Sequence, residues 1–181
     1  MTVEEFRRLA ETGPYYYELR HGELVQVTRP KLKHHRIQRQ LRKLLEAAAG
    51  ESGVVDTEVA FRALPEHELR VADVAYVSRE RWEAADPEDN LRGAPELVIE
   101  VLSPSNTAAE IFDKEKLCLV NGCREFWVVD ADRRPVSGSR CACSAARSRW
   151  TPFFPDDGGV PNGSFLYDFT NRRDRRGPGN I

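Results

Sequence analysis

The sequence predicts an α/β (α+β) fold, a mixed central β-sheet flanked by helices and preceded by a short helix and a β-hairpin. Three observations predict it. Two stretches, Leu69 to Val77 and Glu96 to Leu102, are apolar almost throughout, as strands covered on both faces are. After Pro30 the apolar residues recur at three- and four-residue steps, the period of a helix with one buried stripe. From Glu96 to Asp130 the order strand, helix, strand implies a right-handed parallel crossover.

Taken in order, Thr2 and Glu5 have capping-box spacing, with Phe6 and Leu9 behind them, and Gly13-Pro14 ends that helix. Tyr15 to Leu19 and Glu23 to Val27 flank Arg20-His21-Gly22 as a hairpin with glycine in its turn. His34, Ile37, Leu41, Leu44, Leu45 and Ala48 form the stripe of a longer helix closed by Gly50, so His34 should point inward at its first turn. Val54 to Phe61 and Leu69 to Val77 are strands around Pro65-Glu66-His67. Arg79 to Glu83 reads as a short helix and Asp86 to Gly93 as polar loop. After the Glu96 to Leu102 strand, Ser103-Pro104-Ser105-Asn106 breaks the chain. Thr107 and Glu110 then cap a helix running to about Asn121, with Gly122 beyond it and Phe126 to Asp130 as the next strand. From Arg133 to Gly163 there is no Leu, Ile or Met, and no strand pattern is legible. Asn171 to Ile181 carries Arg172, Arg173, Arg175 and Arg176 among Gly and Pro, a loose basic tail.

A length of 181 residues suits one domain, and 40 % hydrophobic with 31 % charged residues is not a disordered composition. No apolar run approaches the ~18 residues of a membrane span, and the charged N-terminus does not read as a secretory signal. Cys118, Cys123, Cys141 and Cys143 contain no CxxC pair and read as free thiols of a reducing cytoplasm. The net charge of −2 hides an asymmetry. Lys31, Lys33, Arg36, Arg39, Arg42 and Lys43 follow one another with no acid between them. Such a run is either a solvated helix face or a polyanion-binding one.

The chemistry lies in two misplaced acids. Asp73 and Glu100 sit inside the two most apolar strands, where a lone ionised carboxylate is costly. If the strands are neighbours, the carboxylates meet and repel unless a cation neutralises them. A hard divalent ion, Mg²⁺ or Mn²⁺, matches oxygen donors. Each acid alone could instead reach solvent or pair with an Arg. The helix after the Glu100 strand can lean a lysine over the strand end, where it could hold a proton or steady phosphate charge. Lys114 and Lys116 both have apolar helical neighbours, and periodicity does not choose between them. A snorkelling surface lysine is the plain alternative for either.

An acid in one strand, a glutamate in the next and a nearby lysine are similar to the PD-(D/E)XK nuclease superfamily. More closely, the chain resembles the Uma-type family of small bacterial restriction-endonuclease-like proteins. The matching stretches are Tyr17 to Glu23, His34 with Ile37 and Leu41, Arg70 to Val74, Leu97 to Pro104, and Gly122 with Phe126 to Asp130. The resemblance implies a restriction-endonuclease-like fold over residues 1–135, with 136–181 an atypical C-terminal segment of residual strands and tail. It implies Asp73 and Glu100 as metal-binding acids and Lys114, eight residues before Gly122, as the catalytic lysine. Glu23 becomes an outer metal or water ligand, and His34 a group orienting water or phosphate. The chain departs from the pattern at Ala72 (usually Pro), Leu102 (usually Lys) and Cys118 (usually Tyr).

The expected function is a Mg²⁺-dependent (or Mn²⁺-dependent) endonuclease hydrolysing DNA phosphodiester bonds, with the basic helix and tail on the phosphate backbone. A homodimer would let single sites cut both strands. The alternatives are a catalytically silent DNA-binding or scaffold protein on the same fold, and a small-molecule phosphohydrolase.

Overall fold

A computed structural model describes residues 1–9, 16–27, 30–64, 66–130, 135–140 and 164–168. Helix α1 (Val3–Arg7) opens on the expected capping box between Thr2 and Glu5. Strands β1 (Tyr16–Arg20) and β2 (Glu23–Val27) pair antiparallel as a separate two-stranded sheet. Their two-residue turn, His21-Gly22, has positive φ at both positions, 51° and 78°, the turn whose twist suits a hairpin.

Helix α2 (Leu32–Ala49) runs to Gly50 and a short 3-10 turn, Gly50–Ser52. Then come β3 (Gly53–Arg62), β4 (Arg70–Ser78), α3 (Arg79–Ala84), β5 (Leu91–Arg92), β6 (Leu97–Leu102), α4 (Ala108–Val120) and β7 (Glu125–Asp130). The strands β8 (Pro135–Arg140) and β9 (Ser164–Asp168) follow. The main sheet has seven strands in the order β5-β3-β4-β6-β7-β8-β9. The β3/β5 and β6/β7 pairs are parallel and the others antiparallel, so the sheet is mixed. The expected crossover is β6-α4-β7.

Alternation along the strands builds two cores. Val74, Tyr76, Leu97, Ile99, Val101, Trp127 and Val129 pack beneath Leu41, Leu45 and Ala49 of α2. Ala75, Val77, Val98 and Phe126 face the other way and pack beneath Leu117 and Cys118 of α4. One helix therefore covers each face. At the start of β3, a Cβ on Gly53 would come within 2.3 Å of the Val77 carbonyl, so only glycine fits.

Helix α1 ends at Arg7, short of the expected stop at Gly13-Pro14, and two further elements differ from the sequence expectation. The polar loop contains β5, two residues paired with Phe61 and Arg62 at the sheet edge, too short to leave a periodic signal. Strand β8 lies where no pattern was legible. Its backbone pairs with β7 from Glu125↔Arg140 to Val129↔Val136, and main-chain pairing needs no apolar periodicity. Cys141, Cys143 and the expected basic tail lie outside the described residues. Cys118 and Cys123 are buried free thiols. Among the described residues, no helix is long and apolar enough to cross a membrane.

Candidate active site

The sheet opens at Asp73. Pairing between β4 and β6 runs from Tyr76↔Leu97 to Val74↔Ile99, and the next pair, Asp73 and Glu100, is not bridged. On the other side, β3 and β4 pair at Thr57↔Val74 and Val59↔Ala72 but not between them. Glu58, which stands opposite Asp73, has a left-handed φ of 56°. Strands that part here make room for polar side chains inside an otherwise continuous sheet.

The Asp73 carboxylate fills the gap. Its Oδ2 accepts the Val101 backbone N–H at 2.7 Å, and its Oδ1 accepts the Gln38 amide at 3.1 Å. His34 Nε2 lies 2.9 Å from Oδ1. An ionised carboxylate only accepts, so Nε2 carries the proton in this arrangement. Burial works against charging His34, but the hydrogen bond and charge of Asp73, with Glu58 and Glu100 beyond, carry its pKa above the ordinary value. Gln38 is buried on the stripe of α2 and also donates to Glu58.

Glu100 and Lys114 form the second half. Both are buried. Lys114 Nζ lies 2.8 Å from Glu100 Oε1 and donates to the Val71 carbonyl at 2.7 Å. Burial pushes the Glu100 carboxyl up. Lys114 opposes the rise and Asp73 adds to it. Burial also disfavours the Lys114 charge, but Glu100, Glu18 and Asp73 outweigh it and hold the ammonium protonated, with its pKa raised. Lys114 is the cation that faces Glu100 Oε1.

Ionic contacts fix α4 over this point. Arg20 links Glu18 to Glu110 at 3.0 and 2.8 Å. His21 Nε2 and Arg70 Nη2 both reach Asp113, the residue before Lys114, at 3.0 Å. Helix N-capping by Thr107 and Glu110 sets where α4 begins. The hairpin and β4 thus clamp the helix turn that carries Lys114.

Of the expected site residues, Asp73, His34, Glu100 and Lys114 come together. Lys116 is exposed on the outer side of α4. Glu23 is exposed at the start of β2, and Glu18 is the hairpin acid that reaches the cluster, where its Oε1 accepts the Val71 N–H at 3.1 Å. Gln38, Glu58 and Glu18 were not among the expected site residues. Gln38 does carry a signal, as a polar residue four after His34 on the apolar stripe. Glu18 and Glu58 carry none, because an acid in a half-exposed strand is ordinary.

The residues fit a divalent cation. His34, Glu58 and Asp73 place one donor atom each within 4.8 Å of one another. The buried Glu100 carboxylate, paired with Lys114, adds a fourth potential donor and third acid to the neighbourhood. Lys31, Lys33, Arg36, Arg39 and Lys43 of the α2 region are exposed, while Arg42 pairs with Glu46 and Asp56.

Comparisons with known proteins agree with this architecture. A crystal structure at 1.96 Å resolution from Anabaena variabilis ATCC 29413, described as "a putative nuclease belonging to DUF820", superposes with a TM-score of 0.66. The two chains are 23 % identical over 78 % of this chain and 80 % of that one, a likeness of fold. No curated protein matches the chain. The model of one family, Uma2, described as "Putative restriction endonuclease", matches residues 3–159. The chain belongs to the Uma2 family.

Proposed function

We propose that the protein is a divalent-metal-dependent endonuclease that hydrolyses DNA phosphodiester bonds. The observation that carries this reading is the convergence of a buried lysine, Lys114, on a buried acid, Glu100, at 2.8 Å, beside the sheet opening filled by Asp73. Asp73 and Glu100 would hold Mg²⁺ or Mn²⁺. The ion, when bound, supplies Lewis-acid polarisation of the phosphate and lowers the pKa of a bound water. Lys114 positions the attacking water and offers its charge to the phosphate oxygens. It is held for this by Val71, and by the contacts of Arg70 and His21 with neighbouring Asp113. His34, hydrogen-bonded to Asp73, orients water or phosphate. Glu23, exposed on the hairpin, serves at most as an outer water ligand.

Lys31 and Lys33 are exposed at the end of α2 that carries His34, and Arg36, Arg39 and Lys43 extend a basic surface along the outer face of the helix, which suits a phosphate backbone. A homodimer would supply the second site for a double-strand cut. Residues 1–135 carry the whole of this machinery. The buried free thiols Cys118 and Cys123 suit a reducing, cytoplasmic setting.

The test is nicking of supercoiled plasmid with and without Mg²⁺ by wild type, Asp73→Ala and Lys114→Ala. Metal-dependent nicking by wild type alone supports the proposal. Equal activity in all samples removes it. Salt-sensitive DNA binding without cleavage would favour a silent DNA-binding protein instead.

A further inference from the structure

The expected metal ligands are the two acids Asp73 and Glu100, an all-oxygen set. A different group, His34, Glu58 and Asp73, brings one potential ligand atom from each residue within 4.8 Å of the others. They come from three elements, the first turn of α2, the irregular position of β3 and the middle of β4. Gln38, 1 % exposed, donates to both Glu58 and Asp73 and so holds two carboxylates facing one another. An amide satisfies hydrogen bonds but does not neutralise two like charges; a divalent ion bound to both carboxylates does so, and displaces the Nε2 proton so that the imidazole can coordinate. His34 and Asp73 are half-buried and Glu58 is exposed, which leaves the group open to an ion from solvent.

The nitrogen decides which ion. Mg²⁺ takes oxygen ligands and keeps its waters, and a neutral imidazole is a poor exchange for one. First-row transition ions accept imidazole beside carboxylate, with affinity rising from Mn²⁺ along the series. There is no thiolate in the group to favour a soft ion. The buried carboxylate of Glu100 remains engaged with Lys114, consistent with a shell built around Asp73 from the His34 side.

We propose that His34 is a direct ligand of the divalent ion, together with Glu58 and Asp73, and that this set prefers a first-row transition ion such as Mn²⁺ to Mg²⁺. This rests on the metal-dependent reading above and changes its ligand set and its ion. Gln38 is the positioning residue of the site, since it touches both acids and not the ion.

The test uses the full chain without DNA and Mn²⁺ alone as probe. Calorimetric titration gives the Mn²⁺ and Mg²⁺ affinities, and pulsed electron paramagnetic resonance reads nitrogen coupling to bound Mn²⁺. The expected result is Mn²⁺ binding at least about tenfold tighter than Mg²⁺, with nitrogen coupling in wild type. His34→Ala, or His34→Asn if the alanine variant does not fold, loses that coupling and the Mn²⁺ preference. Gln38→Leu keeps the coupling and weakens Mn²⁺ binding by about 10–100-fold, as loss of an outer-shell partner does. Bound Mn²⁺ with no nitrogen coupling, or coupling that survives in the His34 variants, overturns the proposal. If plasmid nicking still depends on Asp73 and metal in that case, the nuclease reading stands and only this ligand set falls. If no divalent ion binds wild type, both fall.

Discussion

The ammonium of Lys114 sits 2.8 Å from the carboxylate of Glu100 in the interior of the protein, held from the far side by the carbonyl of Val71. Neither side chain has much water, so each is the other's main reason to remain charged.

Removing one partner should therefore be costly and removing both much less so. Lys114→Met leaves the Glu100 carboxylate buried without its cation. In the presence of a chelator this is expected to cost about 3–5 kcal/mol of stability at neutral pH. The double variant Lys114→Met/Glu100→Gln should recover most of that loss. Urea unfolding of wild type, Lys114→Met, Glu100→Gln and the double variant measures the coupling, and additive losses would show that the pair is not the unit described.

Arg70 and Glu68 form a second buried pair, 1 % and 0 % exposed, joined at 2.8 Å between the hairpin and α4. Arg70→Met is expected to destabilise by about 3–5 kcal/mol and to leave Asp113 held by His21 alone. Because Asp113 precedes Lys114, the variant should also lose nuclease rate under conditions where it is still folded. A folded Arg70→Met protein with the wild-type rate would separate the clamp from Lys114.

Asp89 sets the acid limit of one corner of the fold. Burial alone would raise its carboxyl pKa, but hydrogen bonds from Arg62, the Asn90 N–H and Arg92, with the Arg62 charge, bring it down to about 2. Its folded pKa lies below the ordinary ~3.9, so its stabilising contribution is present above about pH 4 and is lost as pH falls toward 2. In Asp89→Asn the melting temperature should be lower at pH 5 and should fall less steeply between about pH 4 and 2. Parallel wild-type and variant curves would contradict the assignment.

Much of the architecture was legible because it is periodic. The stripe of α2, the capping boxes at Thr2 and Thr107, and the His21-Gly22 turn each leave a local signature that the structure repeats. Asp73 and Glu100 stood out because ionisable residues in apolar strands are rare. What stayed hidden depends on pairing between distant segments. Glu58 joins the cluster because β3 turns left-handed opposite Asp73. Glu18 joins because the hairpin docks on β4 through Leu19↔Leu69. Lys114 and Lys116 share apolar neighbours in sequence, and only the position of α4 above β6 buries one and exposes the other. Strand β8, between β7 and β9, is defined by main-chain pairing to its neighbours, which composition does not record.

The most direct test of the account is the single-turnover cleavage rate of Lys114→Met at saturating metal and DNA, with the DNA dissociation constant measured alongside. The account predicts a rate lower by about 10²–10³-fold, the scale for losing one preorganised charge at a transition state, with DNA affinity little changed. A folded Lys114→Met protein that cleaves at the wild-type rate would contradict it.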